Sequence, residues 1–171
     1  NVVPSFFVPQ NTISDASTFV RAPSLRGLPA DEILVMMNGK RFNRSALVQV
    51  YSGGDTALSF GSQGSDISSI PAIAISNLQI LRDGATAQYG SDAIGGVLNY
   101  GLRSDEGIEL QALFGQHFDN GGDGDTWQIS GDVGVKLGDA GFVNVAAEYS
   151  DSDGTSRGAT RPWAVAFAAA N

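Results

Sequence analysis

Residues 69–100 read SIPAIAISNLQILRDGATAQYGSDAIGGVLNY, and the breaks inside this stretch decide the fold class. Pro71 suits the first turn of a short helix, where its missing N–H costs nothing. Leu78 and Ile80 then read as a buried strand that ends at Arg82, and Asp83-Gly84 supplies a turn. Ala85 to Tyr89 suits one helical turn, with Gly90 as its left-handed exit. Gly95-Gly96 permits a tight bend into a last strand over 97–102. Short strands interleaved with short helices predict an α+β domain with a small mixed sheet.

Upstream, residues 32–42 read EILVMMNGKRF. Asn38-Gly39 after an apolar run is a strong hairpin signal, because both central residues of a type I′ turn need positive φ. A further short strand is expected at 47–51 (LVQVY). The Gly/Ser-rich segment 52–65 lacks the Lys-Ser/Thr ending and the strand-to-helix setting of a phosphate-binding loop.

Downstream the pattern changes to alternation. In 107–119, Ile108, Leu110, Ala112 and Phe114 oppose Glu109, Gln111, Gly115 and His117, with Leu113 as the exception. In 126–137, Trp127, Ile129, Val133, Val135 and Leu137 oppose Thr126, Gln128, Ser130, Asp132 and Lys136. In 142–150, Val143, Val145, Ala147 and Tyr149 oppose Asn144, Ala146, Glu148 and Ser150. Three strands, apolar on one face and polar on the other, are what a lipid-exposed barrel wall requires. A soluble sandwich alternates in the same way, so the pattern by itself leaves both open. The link at 139–141 is short, as periplasmic turns are. Those at 119–125 and 151–161 are expected to be longer, outward-facing loops, with Trp127 and Tyr149 near the outer membrane interface.

The formal net charge is −8, and the asymmetry is internal. Residues 1–103 carry seven basic and seven acidic side chains, whereas 104–171 carry three and eleven. Two regions meeting near 103–107 are therefore expected. The acidic balance excludes a nucleic-acid partner. With no cysteine and only His117, disulfides, thiolate chemistry and histidine triads are excluded, and no metal site or cofactor is expected. The Asp-rich segments 119–125 and 151–153 lack the ligand spacing of an EF-hand loop. No apolar run is long enough for a transmembrane helix, and the sequence does not open at Asn1 on a basic-then-apolar leader, so any signal peptide is expected to have been removed or to lie outside it.

In order and at natural spacing, SLRGLP (24–29), LVMMNGKR (34–41) and the 69–100 stretch resemble the plug domain of TonB-dependent outer-membrane receptors. The likeness covers about 24–103; at Asn77-Leu78-Gln79 it departs from the arginine and glutamate usual in the family. The resemblance implies a plug over 1–103 and, over 104–171, the first three or four antiparallel strands of a transmembrane β-barrel. Because three or four strands cannot close a barrel, the chain is expected to be part of a longer protein.

The resemblance further implies that the plug gates energy-coupled uptake of a scarce ligand of siderophore, cobalamin or glycan class. The partners implied are the TonB–ExbB–ExbD complex, outer-membrane lipid and a small ligand, in the bacterial outer membrane. A surface receptor used for signalling or adhesion is the alternative. No enzyme is expected, since no nucleophile–base or metal constellation can be assembled. Arg41, Phe42, Asn43 and Arg44 are the candidate ligand contacts. Arg82, with Arg26, is the candidate latch to Glu109, Asp132 and Glu148 on the lumen face. Gly27, Asn38, Gly39, Tyr89, Gly90, Gly95 and Gly96 are read as fold determinants, the tyrosine with its hydroxyl paired.

Overall fold

A computed structural model of the chain describes residues 4–8, 16–48, 61–118, 122–139 and 141–155. The short strands β1 (Phe6–Phe7) and β2 (Ser24–Leu25) pair antiparallel. A four-stranded sheet follows, built from β3 (Ile33–Met37), β4 (Lys40–Arg41), β5 (Ile75–Leu81) and β6 (Gly96–Leu102) in the order β4-β3-β6-β5. The β3–β6 pair is parallel and the others antiparallel, so the sheet is mixed. Helix α1 (Ala85–Tyr89) occupies the expected place.

The central β3–β6 pair of the sheet is buried on both faces. Ile33 and Val35 of β3 pack with Leu98 and Tyr100 of β6, Leu25 and Ile70 on one side. Leu34, Met36 and Val97 pack with Ala93, and with Tyr89 at their edge, on the other. A parallel pair covered on both faces reads as an apolar run, which is why ILVMM shows no alternation. Leu25 and Leu98 are 0% exposed, and each contributes about 1.5–3 kcal/mol by leaving water.

Two dipeptide turns of this region have positive φ at each central residue. Asn38 and Gly39 have φ 49° and 76°, as the hairpin reading requires. Arg26 and Gly27 have φ 60° and 73°, and the N–H of Leu28 returns to the carbonyl of Leu25 at 3.1 Å. The Arg-Gly step is thus a second turn of the same kind. The Asn38 side chain also accepts the Leu102 N–H at 2.8 Å, while Asn99 Oδ1 accepts the Gly39 N–H at 2.9 Å.

Several expectations need correction. β5 is an edge strand, hydrogen-bonded on one side alone, so Leu78 and Leu81 are each 42% exposed rather than buried. Pro71 stands just before a 3-10 turn (Ala72–Ala74) instead of inside a helix. Gly90 has φ 91° and ψ −170°, a glycine-only extended conformation and not the left-handed helical one. Leu47 and Val48 belong to no strand; residues 49–51, and the expected tail strand at 163–168, lie outside the described residues.

The second sheet is an antiparallel meander of β7 (Gly107–His117), β8 (Asp123–Leu137) and β9 (Gly141–Ser152). β8 begins at Asp123, so the β7–β8 link is shorter than expected; Gly122 and Gly124, on either side of its first residue, have positive φ. Cross-strand partners keep the two faces apart. Ile108, Val133 and Val145 lie side by side, as do Ala112, Ile129 and Tyr149. On the other face Glu109 lies beside Asp132, and Gln111 beside Ser130 and Glu148. The apolar face is open to the outside, with Ile108 74%, Leu110 79% and Phe114 70% exposed. The polar face turns toward the first region, leaving Ser130 2% and Asp132 4% exposed. Trp127 and Tyr149 meet at 5.3 Å between ring centroids on the apolar face.

Candidate functional site

The segment leaving the Asn38-Gly39 hairpin carries the candidate ligand contacts. Arg41, Phe42, Asn43 and Arg44 line one pocket of about 230 Å³ together with Ser65 and Asp92. The two arginines are not a free cationic surface, however. Arg41 pairs with Asp92 at 2.6 Å and donates to the Tyr89 carbonyl at 2.6 Å. Arg44 pairs with the other oxygen of Asp92 at 3.2 Å and donates to the Asp31 carbonyl at 3.2 Å. Phe42 is half-buried against the Leu25–Leu98 core, and its N–H bonds the Val35 carbonyl at 2.9 Å. Asn43 alone of the four is exposed with no hydrogen bond among the described residues.

Asp92 is therefore the hub that ties the hairpin to the α1 corner. The hydrogen bond from Arg41 outweighs the opposing effect of burial and, with the charges of Arg44 and Arg41, holds its carboxyl below the ordinary value of 3.8. A depressed folded pKa means the contribution to stability is complete above about pH 4, the unfolded value, and is lost as pH falls through the lower folded value. Replacing Arg41 by Gln is expected to move the Asp92 midpoint upward in an NMR pH titration. An unchanged midpoint would remove Arg41 as the cause. Because the pair lies at the surface, with the Arg41 side chain 54% and the Asp92 side chain 36% exposed, the expected loss of global stability is small.

Arg26 serves the domain itself. Its guanidinium meets Asp83 at 2.6 Å, closing the Arg-Gly turn on to the Asp-Gly turn. The same contact lowers the Asp83 pKa. Tyr89 packs at the edge of the smaller core cluster, and the bond it makes among the described residues is through its carbonyl, not its hydroxyl. Gly95 donates its N–H to the Glu32 carbonyl at 2.8 Å, holding the bend before β6.

The contacts between the first region and the second sheet are not those expected. Arg82 is exposed and makes no hydrogen bond or ion pair among the described residues. Arg82 follows the last residue of edge strand β5, Leu81, whereas the contact to β9 is made by Ala72, just before the strand's opposite end at Ile75. Glu109 is paired instead with Arg103, just after β6. Glu148 accepts the backbone N–H of Ala72 at 3.2 Å, and Asp132 accepts from Asn144 at 3.1 Å. Between the two regions Asn38, Pro71, Arg103, Phe142 and Asn144 help line a cavity of about 300 Å³. Asp92, Arg103 and Asn144 escape sequence reading, because no local pattern marks a residue whose partner is brought by the fold. Only the parity of Asn144, on the polar face with Asp132, hints at one of them.

An α+β domain covered by the polar face of an amphipathic sheet, whose apolar face is left outside, is the architecture of a plug held against a wall of strands. The chain matches the TonB-dependent Receptor Plug Domain family over residues 1–97 and belongs to it. It is thus a component of a bacterial outer-membrane receptor and not an enzyme. Among curated proteins it is similar to the vitamin B12 transporter BtuB of Photobacterium profundum, 32% identical over 132 residues. That likeness covers 77% of this chain but 19% of the relative, so the chain spans about a fifth of its length.

Proposed function

We propose that this chain is the gate and the first wall strands of an outer-membrane transporter that takes up a scarce ligand at the expense of TonB–ExbB–ExbD. The observation that carries the reading is the division of faces in β7–β9. Ser130 and Asp132 are buried toward the plug, while Ile108, Leu110 and Phe114 stand outside. Strands of 11, 15 and 12 residues are long enough to cross a bilayer. The plug then sits inside the lumen, reachable from the periplasm, with outer-membrane lipid against the apolar face. Within the siderophore, cobalamin and glycan classes, the likeness to a vitamin B12 transporter favours a cobalamin.

In this reading Arg41, Phe42, Asn43 and Arg44 meet the ligand, Asn43 directly and the arginines by exchanging Asp92 for ligand acceptors. Glu148 holds the plug from the wall through the Ala72 N–H, and Glu109 faces Arg103 at the plug's exit. The deciding experiment is uptake of radiolabelled cyanocobalamin by cells expressing the full-length receptor, with and without TonB. TonB-dependent accumulation is expected. Binding without accumulation in either strain would sink the transport reading.

A further inference from the structure

The short linker between plug and wall carries a charge arrangement with a specific consequence. Glu109 of β7 and Asp132 of β8 are directly opposed register partners on the polar face. Like charges in that relation repel, and the repulsion grows when water is excluded. Asp132 is 4% exposed; Asn144 satisfies one of its oxygens, and the other, Oδ2, is buried with no hydrogen-bond partner among the described residues. Arg103 lines the same small cavity of about 130 Å³ as Glu109, Asp132 and Asp105. Its guanidinium pairs with Glu109, and its N–H donates to the Ala74 carbonyl at 2.9 Å. One residue thus touches the wall through its side chain and the plug through its backbone. The linker is further held where the Asp105 carbonyl lies over Gly134, which has no space for a Cβ, and where Lys136 meets Glu106 at 3.4 Å.

We propose that Arg103 is the positioning residue that clamps the plug's exit to the wall, by neutralising the opposed Glu109–Asp132 pair. The proposal rests on the reading of β7–β9 as barrel wall. Its particular consequence is that Arg103 is needed only while both carboxylates are present. Removing one of them removes the need.

The test uses the full-length receptor in the outer membrane, freed of other cysteines, with Ser104→Cys in the exposed linker as a reporter. The rate of modification by a charged thiol reagent is measured. Arg103→Gln is expected to raise the rate about tenfold or more by freeing the linker. Adding Glu109→Gln to Arg103→Gln is expected to return it to within about twofold of the parent. An unchanged rate in the single variant, or a double variant as reactive as the single, overturns the proposal. If Arg103→Gln does not assemble, recovery of assembly by Glu109→Gln is expected, and failure to recover overturns it equally. A separate cysteine at Ile129 keeps the underlying reading distinguishable. Ready reaction of Ile129→Cys with the same water-soluble reagent would refute the wall itself, whatever the linker does.

Discussion

Gly96→Val is expected to destabilise the plug by about 3–5 kcal/mol, the range of overpacking combined with a forbidden backbone conformation. Gly96 has φ 137°, a region that L side chains rarely adopt. A Cβ there would sit 2.7 Å from the Leu81 backbone carbonyl and 2.9 Å from Leu25 Cδ2. The carbonyl belongs to a paired strand and the leucine is fully buried, so neither can yield cheaply. Gly96 is also the register partner of Ile33 in the parallel pair at the centre of the sheet. Gly27→Ala is the matched comparison. Its φ is 73°, but nothing lies within 4 Å of the added Cβ, so about 1–2 kcal/mol is expected. Protease resistance of the plug in the assembled receptor, followed against denaturant, should rank the two variants. Equal sensitivity would mean that backbone strain alone, without the Leu81 and Leu25 contacts, accounts for the requirement.

Ile129→Arg is expected to cost about 2–4 kcal/mol, the penalty for a cation on the lipid face near the middle of a barrel strand. Ile129 is 54% exposed, at the seventh of the 15 positions of β8, between Ala112 and Tyr149. Gln128→Arg, one residue earlier, places the same charge on the opposite face, beside Leu113 and Ser150. That face is polar and turned toward the plug, so only a small effect is expected there. Heat-modifiable mobility of the full-length receptor folded into lipid vesicles separates the outcomes. Equal losses in the two variants would contradict a lipid-facing apolar side.

The two turns show how much is local. Asn38-Gly39 is legible because a type I′ turn constrains the residue types themselves. Arg26-Gly27 adopts the same positive φ pair but is not marked by its first residue, whose guanidinium finds its partner, Asp83, far along the chain. The edge position of β5 is illegible for a related reason. Leu78 and Ile80 are apolar whichever side of the sheet their strand takes, and strand order is not written in strand composition.

The sequence alone was enough for the hairpin, the helix at Ala85–Tyr89 and the two faces of β7–β9. Turn chemistry and period-two alternation act between near neighbours, so they can be read along the chain. The polar pairings were decided by the tertiary structure. Arg26 meets Asp83 across 57 residues, Arg41 meets Asp92 across 51, and Glu148 meets Ala72 across 76. At such separations any carboxylate is available to any arginine until strand order and register choose. Parity alone puts Glu109 on the polar face of β7, but that Arg103 rather than Arg82 reaches it follows from where β6 ends against β7.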